Sequence, residues 1–201
     1  MDKCSNTLLD VGCGEGGVIV SLKKIEKNST FMSNCYKIGL DLFRPALNIA
    51  KHWGIYDSYI LADARHLPLK NESIDIVLAF DLIEHLNKNE GEDLIKSLEE
   101  IACKQVIIFT PVGFLPQYTS KDNPHQIHKS GWLPKEFKIR GYRVYGIRGF
   151  AFITQVAHFT WMKSILGVIV LLLGLLTQPI VYLIPRLAFQ MICIKNLREH
   201  K

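Results

Sequence analysis

Leu8-Leu9-Asp10-Val11-Gly12-Cys13-Gly14-Glu15-Gly16-Gly17 joins a short apolar run to a glycine-rich turn and then to a helical pattern. Glycines at the mouth of a strand-to-helix turn adopt positive φ and let the backbone approach a ligand closely, so this turn is expected to seat a nucleotide-like cofactor. Gly12-x-Gly14-x-x-Gly17 fits the dinucleotide fingerprint, and Asp41 stands roughly where that fingerprint expects a ribose-binding acid, about 20 residues or a little more further on. An ordinary tight turn is the plain alternative.

Outward from this turn, strand and helix patterns alternate. Strands are predicted at Thr7 to Val11, Tyr36 to Leu40, Ser58 to Leu61, Ile74 to Phe80 and Gln105 to Thr110. Helices are predicted at Pro45 to Trp53 and Asn89 to Ala102, the latter with Leu94, Leu98 and Ile101 on one core-facing side. Such alternation predicts an α/β fold with a doubly wound, mostly parallel Rossmann-like sheet. After Pro111 a polar segment to Trp132 reads as a loop over the site. A short helix over Lys135 to Arg140, entered at Pro134, and a strand over Tyr142 to Ile147 follow, with no clear seventh strand.

Asp10, Asp41, Asp63 and Asp81 all fall at predicted strand ends, the rim where open α/β sheets bind ligands. The serial order of the glycine turn, Asp41-Leu42, Ala62-Asp63-Ala64 and Asp81-Leu82-Ile83-Glu84-His85-Leu86 resembles the class I S-adenosylmethionine (SAM) dependent methyltransferases, in their small-molecule type 11-like branch. The resemblance covers Thr7 to Phe150. It implies SAM as cofactor, with Asp10, Gly12, Cys13, Gly14 and Gly16 under the methionine part, Asp41 and Leu42 at the ribose, Asp63 and Ala64 around the adenine, and Asp81 nearby. Asp10 and Glu15 suit a sulfonium-bearing zwitterion better than phosphates, and an ionised Asp41 accepts strongly from ribose hydroxyls. Acids also favour the first turns of helices, so Asp81 and Glu84 have a solvated helix start as their simpler reading.

Methyl transfer from a sulfonium is an in-line displacement that depends mainly on positioning and exclusion of water. An oxygen nucleophile still gains from a base. Within Asn123-Pro124-His125-Gln126-Ile127-His128-Lys129-Ser130-Gly131-Trp132, His128 or His125 is expected to orient or deprotonate the acceptor, and His85 is a third candidate. The alternative is that the cluster shapes the loop. No metal site is expected, because no third ligand lies near His125 and His128 in sequence.

The family usually carries helices before the first strand that close over SAM, whereas only Met1 to Asn6 precede it here. A cap is therefore expected from the 111–132 loop, from a membrane or from a partner protein. Five cysteines without a C-x-x-C pair suggest neither a disulfide framework nor a zinc site.

Charge divides the chain. Residues 1–120 hold 12 basic and 16 acidic side chains, whereas residues 121–201 hold 12 and 3. The basic part is also the apolar part, which turns the expectation from nucleic acid toward a membrane. Ser164 to Pro185 contains no charge, a span of the roughly 20 residues that cross a bilayer. Pro179 interrupts it, and basic residues flank both sides, which favours a hairpin or in-plane anchor over a single crossing; a buried core helix or a dimer interface is the alternative. Phe150, Phe152, Phe159 and Trp161 would suit the interface.

The expected organisation is a SAM-binding domain over residues 1–150 and a hydrophobic, membrane-associating tail over 151–201, contacting the cytoplasmic side of a membrane through residues 150–194. The expected activity is methyl transfer from SAM to a small-molecule acceptor, lipid-linked or membrane-delivered. A nicotinamide-dependent oxidoreductase and a catalytically silent membrane-anchored module are the alternatives.

Overall fold

The computed structural model describes residues 6–25, 34–117, 123–151 and 165–197. Strands β1 (Thr7–Val11), β2 (Tyr36–Asp41), β3 (Ser58–Leu61), β4 (Ile74–Phe80), β5 (Ala102–Pro111), β6 (Arg143–Phe150) and β7 (Ala188–Asn196) form one sheet in the order β3-β2-β1-β4-β5-β7-β6. The first five are parallel along that order, and β7 runs antiparallel to both β5 and β6. Helices are α1 (Gly17–Ile25), α2 (Arg44–His52), α3 (Lys88–Ile101), α4 (Pro134–Lys138) and α5 (Ile165–Leu183).

Strands buried on both faces read as continuous apolar runs, and here they separate two cores. On one side Leu9, Val11, Val77 and Ile108 meet Leu94, Leu98 and Ile101 of α3, as the helical spacing predicted. On the other, Leu8 and Leu78 pack with Ile19, Leu47, Ala50 and Ile55. At the start of α3 the Glu90 carboxylate accepts from the Asn87 backbone N–H at 2.9 Å. Cys13, Cys35 and Cys193 are free and buried. Cys103 is disulfide-bonded, which the cysteine spacing did not predict.

Two expectations about the C-terminal part are corrected. A seventh strand exists: residues Phe189 to Ile194 lie in the sheet between β5 and β6, with Pro111 opposite Gln190 and Ile107 opposite Ile194. The sheet thus draws on residues from both sides of position 150. Among the described residues, no helix is long and apolar enough to cross a membrane. The run predicted to insert instead folds as α5 against β6, the sheet's edge strand. Thr177 and Gln178 explain the docking. Gln178 Nε2 donates to the Gly146 carbonyl at 2.9 Å, its Oε1 accepts from Gly149 N at 3.2 Å, and Thr177 Oγ1 accepts from Phe150 N at 3.1 Å. The β6 register shifts between Ile147 and Phe150, so backbone groups freed by the irregularity and by the edge find partners on the helix. Phe152, Phe159 and Trp161 lie outside the described residues.

Candidate cofactor and acceptor site

Parallel order places the carboxyl ends of β1 to β5 on one rim, and the antiparallel β7 brings its beginning to the same rim. The strand order reverses between β1 and β4, where open α/β sheets carry their crevice. Gly12 after β1 faces Leu82 after β4 there; a Cβ at Gly12 would stand 2.9 Å from Leu82 Cδ1.

The glycine turn is built by positive φ at Gly12 (+73°), Gly14 (+51°) and Gly16 (+87°), and the Gly12 and Cys13 N–H groups donate to the Leu40 carbonyl. Gly16 is closed in by Ile55, whose Cδ1 would lie 2.7 Å from an added Cβ. At Gly14 the opposite holds, with open space around the position of a Cβ. Asp41 ties the turn to α2: its Oδ2 accepts from Gly14 N and its Oδ1 from Phe43 N, each at 2.7 Å.

A cleft runs from this turn, lined by Gly12, Gly14, Asp41, Leu42, Asp63, Ala64 and Asp81 among the residues expected to hold the cofactor. His85 and His125 line it as well. His125 follows Asn123, whose side chain accepts from its N–H at 3.0 Å, and its ring stands 6.5 Å from that of Phe43. The loop expected over the site therefore reaches it through residues 123–129; residues 118–122 lie outside the described ones. Trp132 anchors the loop. It is fully buried, donates through Nε1 to Ser130 Oγ at 3.0 Å, and packs so closely on α3 that a Cβ at Gly91 would lie 2.5 Å from its ring.

Asp10, Cys13 and Gly16 are not on the cleft wall. Asp10 is 1% exposed beneath the turn and accepts from the Tyr56 hydroxyl at 2.7 Å, while its Oδ1 is buried without a partner. Burial pushes its pKa up to about 7 against the opposing Tyr56 hydrogen bond, with the Asp41 charge adding to the rise. Its folded-state value thus lies above the unfolded one. Stability from the protonated form is present at low pH and is lost as pH rises through about 7. Asp10→Asn keeps the acceptor for Tyr56 and removes the ionisation. The stability gap between the two proteins is expected to shift in favour of the variant from about pH 4 to about pH 8, by at most about 4 kcal/mol. Urea titrations at the two pH values measure it; a constant gap would place no ionisation cost at Asp10.

Asp63 faces Arg65, which donates to it from Nη2 at 2.6 Å and also pairs with Glu90 at 2.9 Å. The Arg65 hydrogen bonds hold the Asp63 carboxyl below its usual range.

A second hollow adjoins the first, sharing Gly12, Asp81 and His85 and adding Glu84, His128, Arg148 and Gln190. Asp81 has φ +47° and accepts from Gln190 Nε2 of β7 at 3.1 Å. Although Asp81 faces the opening, its concave surroundings strip hydration and raise its pKa, against the nearby Arg148 charge. Glu84 is no solvated helix start. It is 2% exposed, accepts from Thr110 Oγ1 at 3.0 Å, and burial pushes its pKa up to about 8. Burial lowers the His85 pKa, favouring neutral imidazole. His128 is buried in this second hollow, and its ring centroid stands 4.8 Å from that of His85. Sequence reasoning missed Gln190 because β7 was not read as a strand, and it missed the burial of Glu84. The Phe189-Gln190-Met191-Ile192-Cys193-Ile194 stretch carried a strand-length apolar signal hidden behind the longer hydrophobic run.

A family model described as a methyltransferase domain matches residues 9–105. Norajmaline N-methyltransferase of Rauvolfia serpentina is 34% identical over 105 residues, 50% of this chain and 34% of that one. The chain spans between about a third and just over half the length of the curated relatives it matches. Solved structures share the fold. A SAM-dependent methyltransferase from Archaeoglobus fulgidus aligns over 95% of this chain and 86% of its own at 18% identity, TM-score 0.57. Phosphoethanolamine N-methyltransferase 2 of Haemonchus contortus, in complex with SAM, aligns over 95% and 48% at 15% identity, TM-score 0.58.

Proposed function

Because the chain belongs, through residues 9–105, to the class I SAM-dependent methyltransferases, we propose that it transfers the methyl group of SAM to a small-molecule acceptor bound in the second hollow. The observation that carries the reading is the open Gly14 cradle above the Asp41 carboxylate. A side chain at Gly14 would project into the space a cofactor needs, and each Asp41 oxygen retains acceptor capacity beyond its single backbone bond. Bound SAM supplies an electrophilic methyl group. Asp41 and Leu42 would hold its ribose, Asp63 and Ala64 its adenine, and Gly12 and Gly14 its amino-acid part. The similarity to an N-methyltransferase of a small molecule supports an acceptor of that class.

His85, His125 and His128 would position the acceptor and receive its proton, with the loop that Trp132 anchors, or a partner protein, excluding water. Calorimetric titration with SAM, its demethylated product and NAD tests the cofactor. Micromolar SAM binding without NAD binding is expected; NAD binding alone would revive the oxidoreductase reading, and no binding of either would favour a silent module.

A second reading rests on α5. Its outer face leaves Leu172, Leu173, Leu175, Leu176, Ile180 and Leu183 between 44% and 78% exposed, with Arg143 and Arg186 on neighbouring elements. We propose that this face lies in the plane of a membrane surface, on its cytoplasmic side, and that the acceptor carries a lipid portion. Flotation with anionic vesicles is the check. Quantitative recovery of the protein away from the vesicles would overturn it.

A further inference from the structure

We propose that Glu84, His85 and His128 form a binding site for a divalent transition-metal ion beside the cofactor cleft. One potential ligand atom from each lies within 4.8 Å of the others. The three come from two segments: Glu84 and His85 sit on the single turn after β4, and His128 comes from the loop after β5. Sequence spacing around His125 and His128 alone does not reveal this set.

Three independent observations fit a cation. Glu84 is 2% exposed, and although its Oε2 accepts from Thr110, its Oε1 is buried with no partner. A buried carboxylate oxygen without a partner calls for a proton donor or a metal. The two histidines are held by their other nitrogens: His85 Nδ1 lies 3.2 Å from the Ile127 carbonyl and His128 Nδ1 lies 2.5 Å from the Leu115 carbonyl. A carbonyl can only accept, so each Nδ1 carries a hydrogen, and in the neutral ring Nε2 keeps the lone pair. Metal-binding imidazoles are held in just this way, with the second ring nitrogen donating to a backbone carbonyl. Finally, the rings meet edge to face at 4.8 Å and 68°.

Two imidazoles and one carboxylate suit ions such as Co²⁺, Mn²⁺, Fe²⁺ or Zn²⁺ better than Mg²⁺ or Ca²⁺, which prefer oxygen ligands throughout. Three protein ligands leave coordination positions open. The neighbouring hollow, with Asp81, Arg148 and Gln190 on its wall, would present an acceptor's hydroxyl oxygen to them. That final step rests on the methyltransferase reading; metal binding does not. As a Lewis acid the ion favours loss of the hydroxyl proton, which His125 or solvent takes up when His85 and His128 hold the metal. The oxygen then forms a bond to the methyl carbon while the carbon–sulfur bond breaks, and sulfur keeps the electron pair.

The test titrates chelator-treated protein with Co²⁺, followed by calorimetry and visible absorption, with SAM binding measured in parallel. Binding of one Co²⁺ per chain is expected. His128→Asn and Glu84→Gln should each weaken it at least tenfold with SAM binding retained, and His125→Ala should leave it unchanged. Absence of stoichiometric Co²⁺ binding in the wild-type protein overturns the proposal, whatever SAM does. So does equal affinity in both ligand variants. Co²⁺ binding that is lost in the variants, in a protein that binds no SAM, would support the metal site while overturning methyl transfer.

Discussion

Asp41→Ala is expected to weaken SAM binding at least 100-fold, about 2.7 kcal/mol, with little change in the far-ultraviolet spectrum. In the free protein the Asp41 carboxylate accepts from Gly14 N and Phe43 N, joining the glycine turn after β1 to the start of α2. Alanine removes both of these charge-assisted bonds together with the acceptor for the ribose hydroxyls, and such bonds are about twice as strong as neutral ones. Asp41→Asn keeps one carbonyl oxygen, so an intermediate loss is expected. Calorimetric titration of the three proteins measures this series. Wild-type affinity in Asp41→Ala would remove Asp41 from the cofactor site.

Gly146→Ala should have the largest effect on stability. An added Cβ would run into the Val181 carbonyl of α5 and stand 2.7 Å from the Ala188 Cβ at the start of β7. Backbone cannot rotate away as a side chain can, so the helix must lift from β6. The Gln178 bond to the Gly146 carbonyl would then be lost. Overpacking of this kind costs about 1 to 3 kcal/mol, a fall of roughly 2 to 12 °C in Tm for a chain of this size. Gly17→Ala is the comparison, because Gly17 opens α1 with space around its Cβ, and a neutral or slightly higher Tm is expected there. Equal Tm for wild type and Gly146→Ala would mean that α5 does not rest on the sheet.

Two sources of information account for what was legible. Local chemistry settled the first five strands: Thr7–Val11, Ser58–Leu61 and Ile74–Phe80 are short, mainly apolar stretches bounded by turns, the first and last each carrying one buried Asp, and segments of that length and composition suit a pleated, buried surface. The glycine turn was equally readable, because positive φ at Gly12, Gly14 and Gly16 is a property of the residue itself. By the same logic Asp41, Asp63 and Asp81 could be placed at the rim, since a parallel sheet puts successive strand ends together.

The tail shows where this reasoning stops. An apolar run has the same composition whether it enters lipid or covers a sheet edge, and the difference lies in whether a partner surface exists. Gly146 and Gly149 let α5 approach β6, with Thr177 and Gln178 meeting the irregular edge backbone, and none of these residues signals that pairing alone. Glu84 is a parallel case. Its position after β4 suggested a solvated turn, but Thr110 of β5 and the 128–130 loop close over it, as the Lys129 and Ser130 N–H groups donate to its carbonyl.

The sequence by itself thus determined the α/β alternation, the cofactor turn and the acids along the rim, because each depends on backbone preference and near-neighbour spacing. Only the tertiary structure decided that β7 enters between β5 and β6, that α5 rests on the sheet, and that Glu84, His85 and His128 come together. Those outcomes depend on contacts between residues far apart in the chain, whose energies are set by the surfaces that meet and not by the identity of either partner alone.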